Sequence, residues 1–197
     1  ADAFARPTSE SELLRLLAVA RAGGVPFFVI GAGANILVRD HGIRGLVISL
    51  EKLNHVTHSG TTLEAGAGCQ ISLMAEASAR EGYAGLERFF AMPGSVGGSV
   101  WMNARCYDRS ISDVIVGVRV AETDSAGRCT VRERKDWPEE FGYKKSPFQG
   151  SADIILKARF RLSEGDRQHL AALMDEIKHD REAKGHFSAP SAGSVYK

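Results

Sequence analysis

Leu13, Leu16, Leu17 and Ala20 fall on one stripe of a 3.6-residue period, and Ser9 and Glu12 stand ahead of them at capping-box spacing. The spacing predicts a helix near the start of the chain. Gly23 and Gly24 stop it, because glycine takes the left-handed C-terminal position without penalty. The short apolar run at 26–30, bounded by turn residues, predicts a buried strand, and 45–50 predicts a second, so the opening is β-α-β-like. From about Asn54 the pattern changes. Residues 61–65 read as a strand entering the small-residue turn 66–68, residues 71–80 as a helix stopped at Gly82, and 85–90 as a short helical segment. Residues 92–98 are a glycine-dense loop. Residues 114–120 and 129–132 predict a strand pair around the polar turn 124–127, and 154–162 a further strand. Residues 163–166 resemble a linker, 166–184 a charged helix, and 185–197 an irregular polar tail.

Composition narrows the possibilities. A chain of 197 residues makes one domain or two small ones, and can bury a core without disulfide help. Its 25 Lys+Arg against 24 Asp+Glu lack the basic excess of a dedicated nucleic-acid binder. No apolar run reaches the roughly 18 residues of a membrane span, and no charged-then-apolar leader opens the chain. Cys69, Cys106 and Cys129 are odd in number and form no CxxC pair, which argues against a disulfide framework or zinc site and for a reducing cytoplasm. Among the six histidines only His55 and His58 stand at i, i+3, with no third ligand, so no metal is expected. No G-x-S-x-G elbow is present. The 21 glycines exceed the average share of roughly 7%.

Two glycine clusters carry candidate chemistry. Gly31-Ala32-Gly33-Ala34-Asn35 follows a predicted strand, where consecutive amides can form an anion nest. It is neither a Rossmann fingerprint, since Ile36 stands where the third glycine belongs, nor a P-loop; a plain strand-turn is the alternative. The second cluster, 93–98, has apolar flanks in Phe89-Phe90 and Val100-Trp101-Met102, which argue against a solvent-exposed loop and leave ligand contact and a plain tight loop both open. Two such turns in an α+β frame fit a flat, phosphate-bearing cofactor between lobes: a flavin dinucleotide, or equally a nucleotide sugar. The segment FGYKKSPF (141–148) sets two cations beside aromatics, suited to a phosphate or carboxylate or simply to a surface lysine pair. The segment PSAGSVYK (190–197) offers hydroxyls and a Lys, and by itself is a flexible tail.

GAGANILVRD (31–40), GLERFFAMPGSVGGSVWMNA (85–104), FGYKKSPF (141–148) and PSAGSVYK (190–197) occur in order at sensible intervals. Together they make the chain resemble the bacterial UDP-N-acetylenolpyruvoylglucosamine reductase family, its shorter class above all, over essentially all 197 residues. The resemblance implies an α+β fold of the FAD-binding PCMH type (vanillyl-alcohol-oxidase-like). It implies residues 1–50 as the first FAD subdomain, 51–163 as the second, and 164–197 as the beginning of a substrate-binding domain. It also implies that the chain is cut at both ends and lacks the C-terminal region with the catalytic Glu. FAD would be non-covalent, since neither glycine loop holds a His for attachment. NADPH would be the co-substrate in reducing UDP-N-acetylglucosamine-enolpyruvate to UDP-N-acetylmuramate, a cytoplasmic step of peptidoglycan precursor synthesis. The same fold also serves other flavoenzymes, and a non-catalytic flavin or nucleotide-sugar module is a further alternative.

The resemblance carries roles residue by residue. Ile30, Gly31, Ala32, Gly33, Ala34, Asn35, Ile36 and Leu37 would hold the FAD phosphates. Gly94, Ser95, Gly97, Gly98, Asn103 and Ala104 would lie against the flavin. Ser194 would be the proton donor, Lys144 would stabilise the substrate carboxylate or enolate, and Tyr143 and Lys197 would bind substrate. Lys144 stands where the family has Arg, which keeps the charge but loses the bidentate fork. Residues 103–108 (Asn-Ala-Arg-Cys-Tyr-Asp) replace a stretch richer in Gly.

Overall fold

The computed structural model describes residues 1–123, 128–137 and 140–188. Strand β1 (Ala3–Ala5) leads into helix α1 (Glu10–Ala22), then β2 (Phe27–Ile30) and β3 (Leu46–Ser49). The three strands form a parallel sheet in the order β1-β3-β2. Central β3 is buried along its whole length, as an apolar run with neighbours on both sides should be. Edge strand β2 departs from the expected burial: Phe28 is 41% exposed, because this edge opens onto a cleft. Ser9 caps α1, its Oγ accepting the Glu12 N–H at 3.2 Å. The Glu12 carboxylate reaches back to the N–H and hydroxyl of Thr8 rather than to Ser9.

Beyond these come β4 (Val56–Ser59), β5 (Thr62–Gly66), α2 (Ile71–Arg80), β6 (Tyr83–Ala84), α3 (Val96–Trp101), β7 (Arg105–Cys106) and β8 (Arg109–Ser110). They are followed by β9 (Ile115–Thr123), β10 (Cys129–Arg134), β11 (Ile154–Arg161), β12 (Ser163–Glu164) and α4 (Arg167–Ala183). A five-stranded antiparallel sheet runs β10-β9-β11-β5-β4. The expected pairing of β9 with β10 is present; the turn 124–127 lies outside the described residues. One buried cluster joins both sheets, from Leu13 and Ile48 to Val118 and Phe160.

The expected linker and the glycine-dense loop also differ from the sequence-based expectation. Residues 163–166 are not a free linker. Ser163 and Glu164 pair with Ala84 and Tyr83, and Asp166 caps α4 by accepting the His169 N–H at 2.7 Å. The pairing seats α4 on α2, where Leu170 and Met174 pack with Ala79 and Phe90. The glycine-dense loop is also shorter than expected, since 96–101 is the helix α3. Polar contacts tie α1 to the second sheet: Arg119 Nε donates to Glu10 at 3.0 Å, and Arg21 donates to Thr123 Oγ1 at 2.6 Å. No described helix is long and apolar enough to cross a membrane.

Candidate functional site

A cavity of about 580 Å³ opens where the two glycine loops converge. The first loop leaves β2 after Ile30, whose carbonyl accepts the Leu50 N–H at 3.0 Å. Gly33 then turns the chain at φ +72°, a conformation glycine takes freely. Among the described residues, the amides of 31–35 make no backbone hydrogen bond. Residues 31–36 line the cavity, so the successive N–H groups of 31–35 are available to an anion there.

The second loop behaves differently. Ser95 caps α3, its Oγ accepting the Gly98 N–H at 3.3 Å. Val96 N–H donates to Cys69 O at 2.8 Å and Gly97 N–H to Ala67 O at 2.9 Å. The first amides of α3 are thus spent inside the fold. What Gly94, Ser95, Gly97 and Gly98 offer the cavity is a nearly side-chain-free surface. Close approach explains the glycines: a β-carbon at Gly31 would stand 2.2 Å from Ser95 Oγ, and one at Gly97 2.9 Å from Ala67 Cβ.

The remaining wall comes from elsewhere in the chain. Val29, Leu50, Ile154 and Ile155 make it apolar, with Trp101 and Met102 at the end of α3. Asp153 joins them, its carboxylate held by Arg134 Nη1 at 3.1 Å. Arg105 and Lys144 supply positive charge. Asp153 and its two isoleucines escaped the sequence analysis because they are remote from both loops. Phe28 and Val29 had a local signal, since they belong to the strand that feeds the first loop.

Most sequence-predicted residues converge here. Gly31, Ala32, Gly33, Ala34, Asn35, Ile36, Gly94, Ser95, Gly97, Gly98, Ala104 and Lys144 line the cavity. Four do not. Ile30 is the last residue of β2, with its carbonyl engaged by Leu50. Leu37 is 99% exposed, beyond the cavity. Asn103 lies behind the wall at 3% exposure, its Nδ2 donating to Gly142 O at 2.9 Å and its Oδ1 accepting the Ser112 N–H at 3.0 Å. Both ends of its side chain are therefore bonded to protein. Tyr143 is exposed, its ring centroid 5.7 Å from Lys144 Nζ. Ser194 and Lys197 lie outside the described residues.

The FAD binding domain family matches residues 1–128. This chain belongs to that family. FAD fits the site on three counts: unpaired loop amides for its diphosphate, a small-residue surface for its flat ring, and an apolar wall for its base. The chain is 38% identical over all 197 residues to UDP-N-acetylenolpyruvoylglucosamine reductase 2 of Bacillus anthracis and covers 63% of that protein. It is 39% identical to the UDP-N-acetylenolpyruvoylglucosamine reductase of Lactococcus lactis subsp. cremoris and covers 64% of it. It thus spans less than two thirds of the length of these curated relatives. The crystal structure of the Thermus caldophilus UDP-N-acetylenolpyruvylglucosamine reductase matches with a TM-score of 0.73 and 28% identity, over 98% of this chain and 66% of that one. A cholesterol oxidase of Brevibacterium sterolicum, 14% identical, matches over 81% of this chain and 34% of its own with a TM-score of 0.61. The α+β fold of PCMH-type FAD-binding proteins is therefore the fold of this chain.

Proposed function

We propose that this chain is the FAD-binding part of a cytoplasmic UDP-N-acetylenolpyruvoylglucosamine reductase. The overall reaction uses NADPH and a proton to convert UDP-N-acetylglucosamine-enolpyruvate to UDP-N-acetylmuramate, for peptidoglycan synthesis. The observation that carries the proposal is the placement of Lys144 on the same cavity as both glycine loops. Lys144 comes from a segment remote from the loop amides that would hold the FAD diphosphate, and a cation placed there suits the carboxylate of an enolpyruvyl group beside the flavin. FAD, when bound, supplies the two-electron carrier between NADPH and the enolpyruvyl double bond.

The chain's residues then have distinct tasks. The amides of 31–35 would hold the diphosphate, and the surface at 94–98 would admit the flat ring. Lys144 offsets the negative charge that grows toward the carboxylate as hydride arrives at the β-carbon. Ser194 delivers the proton that completes the α-carbon; its weak acidity makes position decisive. Tyr143 and Lys197 hold substrate. Residues 1–50 and 51–163 form the two FAD subdomains in this proposal, in keeping with the two sheets, and 164–197 begin the substrate domain.

The test is an anaerobic half-reaction experiment on the full-length protein. The purified protein should be yellow, lose its visible absorbance on adding NADPH, and recover it on adding the enolpyruvyl nucleotide sugar. Ser194→Ala should spare the first step and slow the second by orders of magnitude, roughly 100-fold or more. A colourless protein, or a reduced flavin that the nucleotide sugar leaves reduced, would overturn the proposal.

A further inference from the structure

Lys144 reaches the cavity from a strained position. Its φ is +52°, in the left-handed region that residues with a β-carbon seldom enter. Gly142 and Lys145 exchange both backbone hydrogen bonds, each 3.0 Å, which leaves Tyr143 and Lys144 at the tip of a tight turn. Such a conformation persists only where its surroundings over-determine it.

The surroundings do so from both sides. On one side Asn103 Nδ2 donates to Gly142 O at 2.9 Å, while Asn103 Oδ1 accepts the Ser112 N–H at 3.0 Å. Asn103 is itself buried and left-handed, at φ +41°. On the other side Gln149 Nε2 donates to Lys144 O at 3.1 Å. Ser146 Oγ, at the base of the turn, donates to Trp101 O at 2.6 Å and so fastens the turn to the end of α3. The segment that follows α3 and the lysine turn are thereby one assembly. Asn103 joins its parts with a donor on one end and an acceptor on the other, a pairing that only a carboxamide supplies at that length.

We infer that Asn103, with Gln149 as its counterpart, is a positioning residue for Lys144: it sets where the ammonium meets the cavity and hence its grip on the substrate carboxylate. The inference rests on the role proposed above for Lys144. It also explains why Asn103 sits next to the cavity residue Ala104 without lining the cavity itself.

Asn103→Asp separates the two ends of the bridge. The acceptor toward Ser112 N–H survives, while a carboxylate oxygen now faces Gly142 O and the turn loses its tie. In the full-length holoenzyme, followed by stopped-flow absorbance, Asn103→Asp should leave FAD content and the rate of flavin reduction by NADPH within about twofold. It should slow flavin reoxidation by the enolpyruvyl nucleotide sugar about tenfold. Gln149→Ala should slow the same step, and it carries the test if the aspartate variant does not fold. Lys144→Ala should slow that step further, and adding Asn103→Asp to it should change little more, because the two residues act as one unit. Slowing of both half-reactions alike, loss of FAD, or effects that multiply in the double variant would overturn the positioning role. Normal reoxidation in Lys144→Ala alone would instead overturn the role assigned to Lys144.

Discussion

Gly31 and Ser95 meet where the two glycine loops converge, so closely that a β-carbon on the glycine would stand 2.2 Å from the serine Oγ. That oxygen is held as the cap of α3, so the overlap is relieved only by parting the loops or by giving up the cap. Gly31→Ala should therefore weaken FAD binding about tenfold, or roughly 1.4 kcal/mol. The added methyl would stand 3.4 Å from Ser95 Cβ, an ordinary contact, so removal of the hydroxyl is enough to readmit it. Gly31→Ala with Ser95→Ala should recover most of the affinity, even though Ser95→Ala alone costs about 1 kcal/mol by uncapping α3. Fluorescence titration of apoprotein with FAD checks this. Equal affinities in parent and Gly31→Ala would mean that the contact between the loops does not shape the site.

Cys106 and Tyr107, in the bulky stretch that follows Ala104, are explained by α4. Cys106 is buried against Arg181, whose Nη2 lies 2.9 Å from its Sγ, and burial pushes its thiol above the ordinary range. Tyr107, at φ +54°, donates its hydroxyl to Asp180 at 2.8 Å, and Arg181 and Lys184 lie 6.0 and 5.9 Å from its ring centroid. The β7–β8 hairpin thus clasps the C-terminal turn of α4, a contact glycine could not make. Tyr107→Phe keeps the ring and deletes the hydrogen bond. It should cost about 1 kcal/mol, or a Tm lower by about 2–4 °C in calorimetry. An unchanged Tm would remove the hydroxyl from the clasp.

What the sequence disclosed depended on how local the cause was. Helix α2 runs over the residues expected, 71–80, because its apolar period and the stop at Gly82 (φ +84°) are both local. Helix α3 was hidden inside its glycines. Val-Gly-Gly-Ser-Val-Trp has poor helix propensity, and it turns because Cys69 O and Ala67 O capture its first amides. The pairing of Ser163-Glu164 with Tyr83-Ala84 was hidden likewise, since each partner is two residues long and they are far apart in the chain. In the site, the loops announced themselves as small residues after a strand. Asp153, Ile154 and Ile155 reach the cavity only through the order of the second sheet, which sets β11 between β9 and β5. Asn103 marked the right neighbourhood, and its carboxamide is bonded behind the wall to Gly142 O and the Ser112 N–H.

Glu64 gives the fold an acid-sensitive element. Arg159 donates to its carboxylate at 2.7 and 3.2 Å, and Lys157 lies 3.6 Å away. Chiefly the Arg159 hydrogen bonds hold the Glu64 carboxyl below its ordinary range. The folded state therefore binds fewer protons at this site than the unfolded state. The resulting stability is present above the unfolded value of about 4.3 and is lost as pH falls through the lower folded value. Glu64→Gln should be less stable than the parent at neutral pH, with the gap closing toward about pH 3. Urea unfolding at both pH values measures it. A gap that persists in acid would show that packing, and not charge, makes the Glu64 contribution.

Lys144 lends itself to separating what its backbone costs from what its ammonium does. At φ +52° a β-carbon is strained and glycine is not, so Lys144→Gly should hold or raise stability by up to about 1 kcal/mol. The same variant removes the cation of a cavity-lining residue, and turnover should fall roughly 100-fold. Lys144→Ala keeps the strain and also loses the charge, so its turnover should match that of Lys144→Gly while its Tm stays lower. Lys144→Arg keeps both strain and charge, and should retain most of the activity with the fork available to the carboxylate. Equal losses in the glycine and alanine variants, set against a higher Tm in the glycine variant alone, would show that the reaction uses the ammonium while the fold bears the cost of placing it. A Lys144→Gly enzyme as fast as the parent would exclude the side chain from the reaction, leaving the turn as backbone support for the cleft.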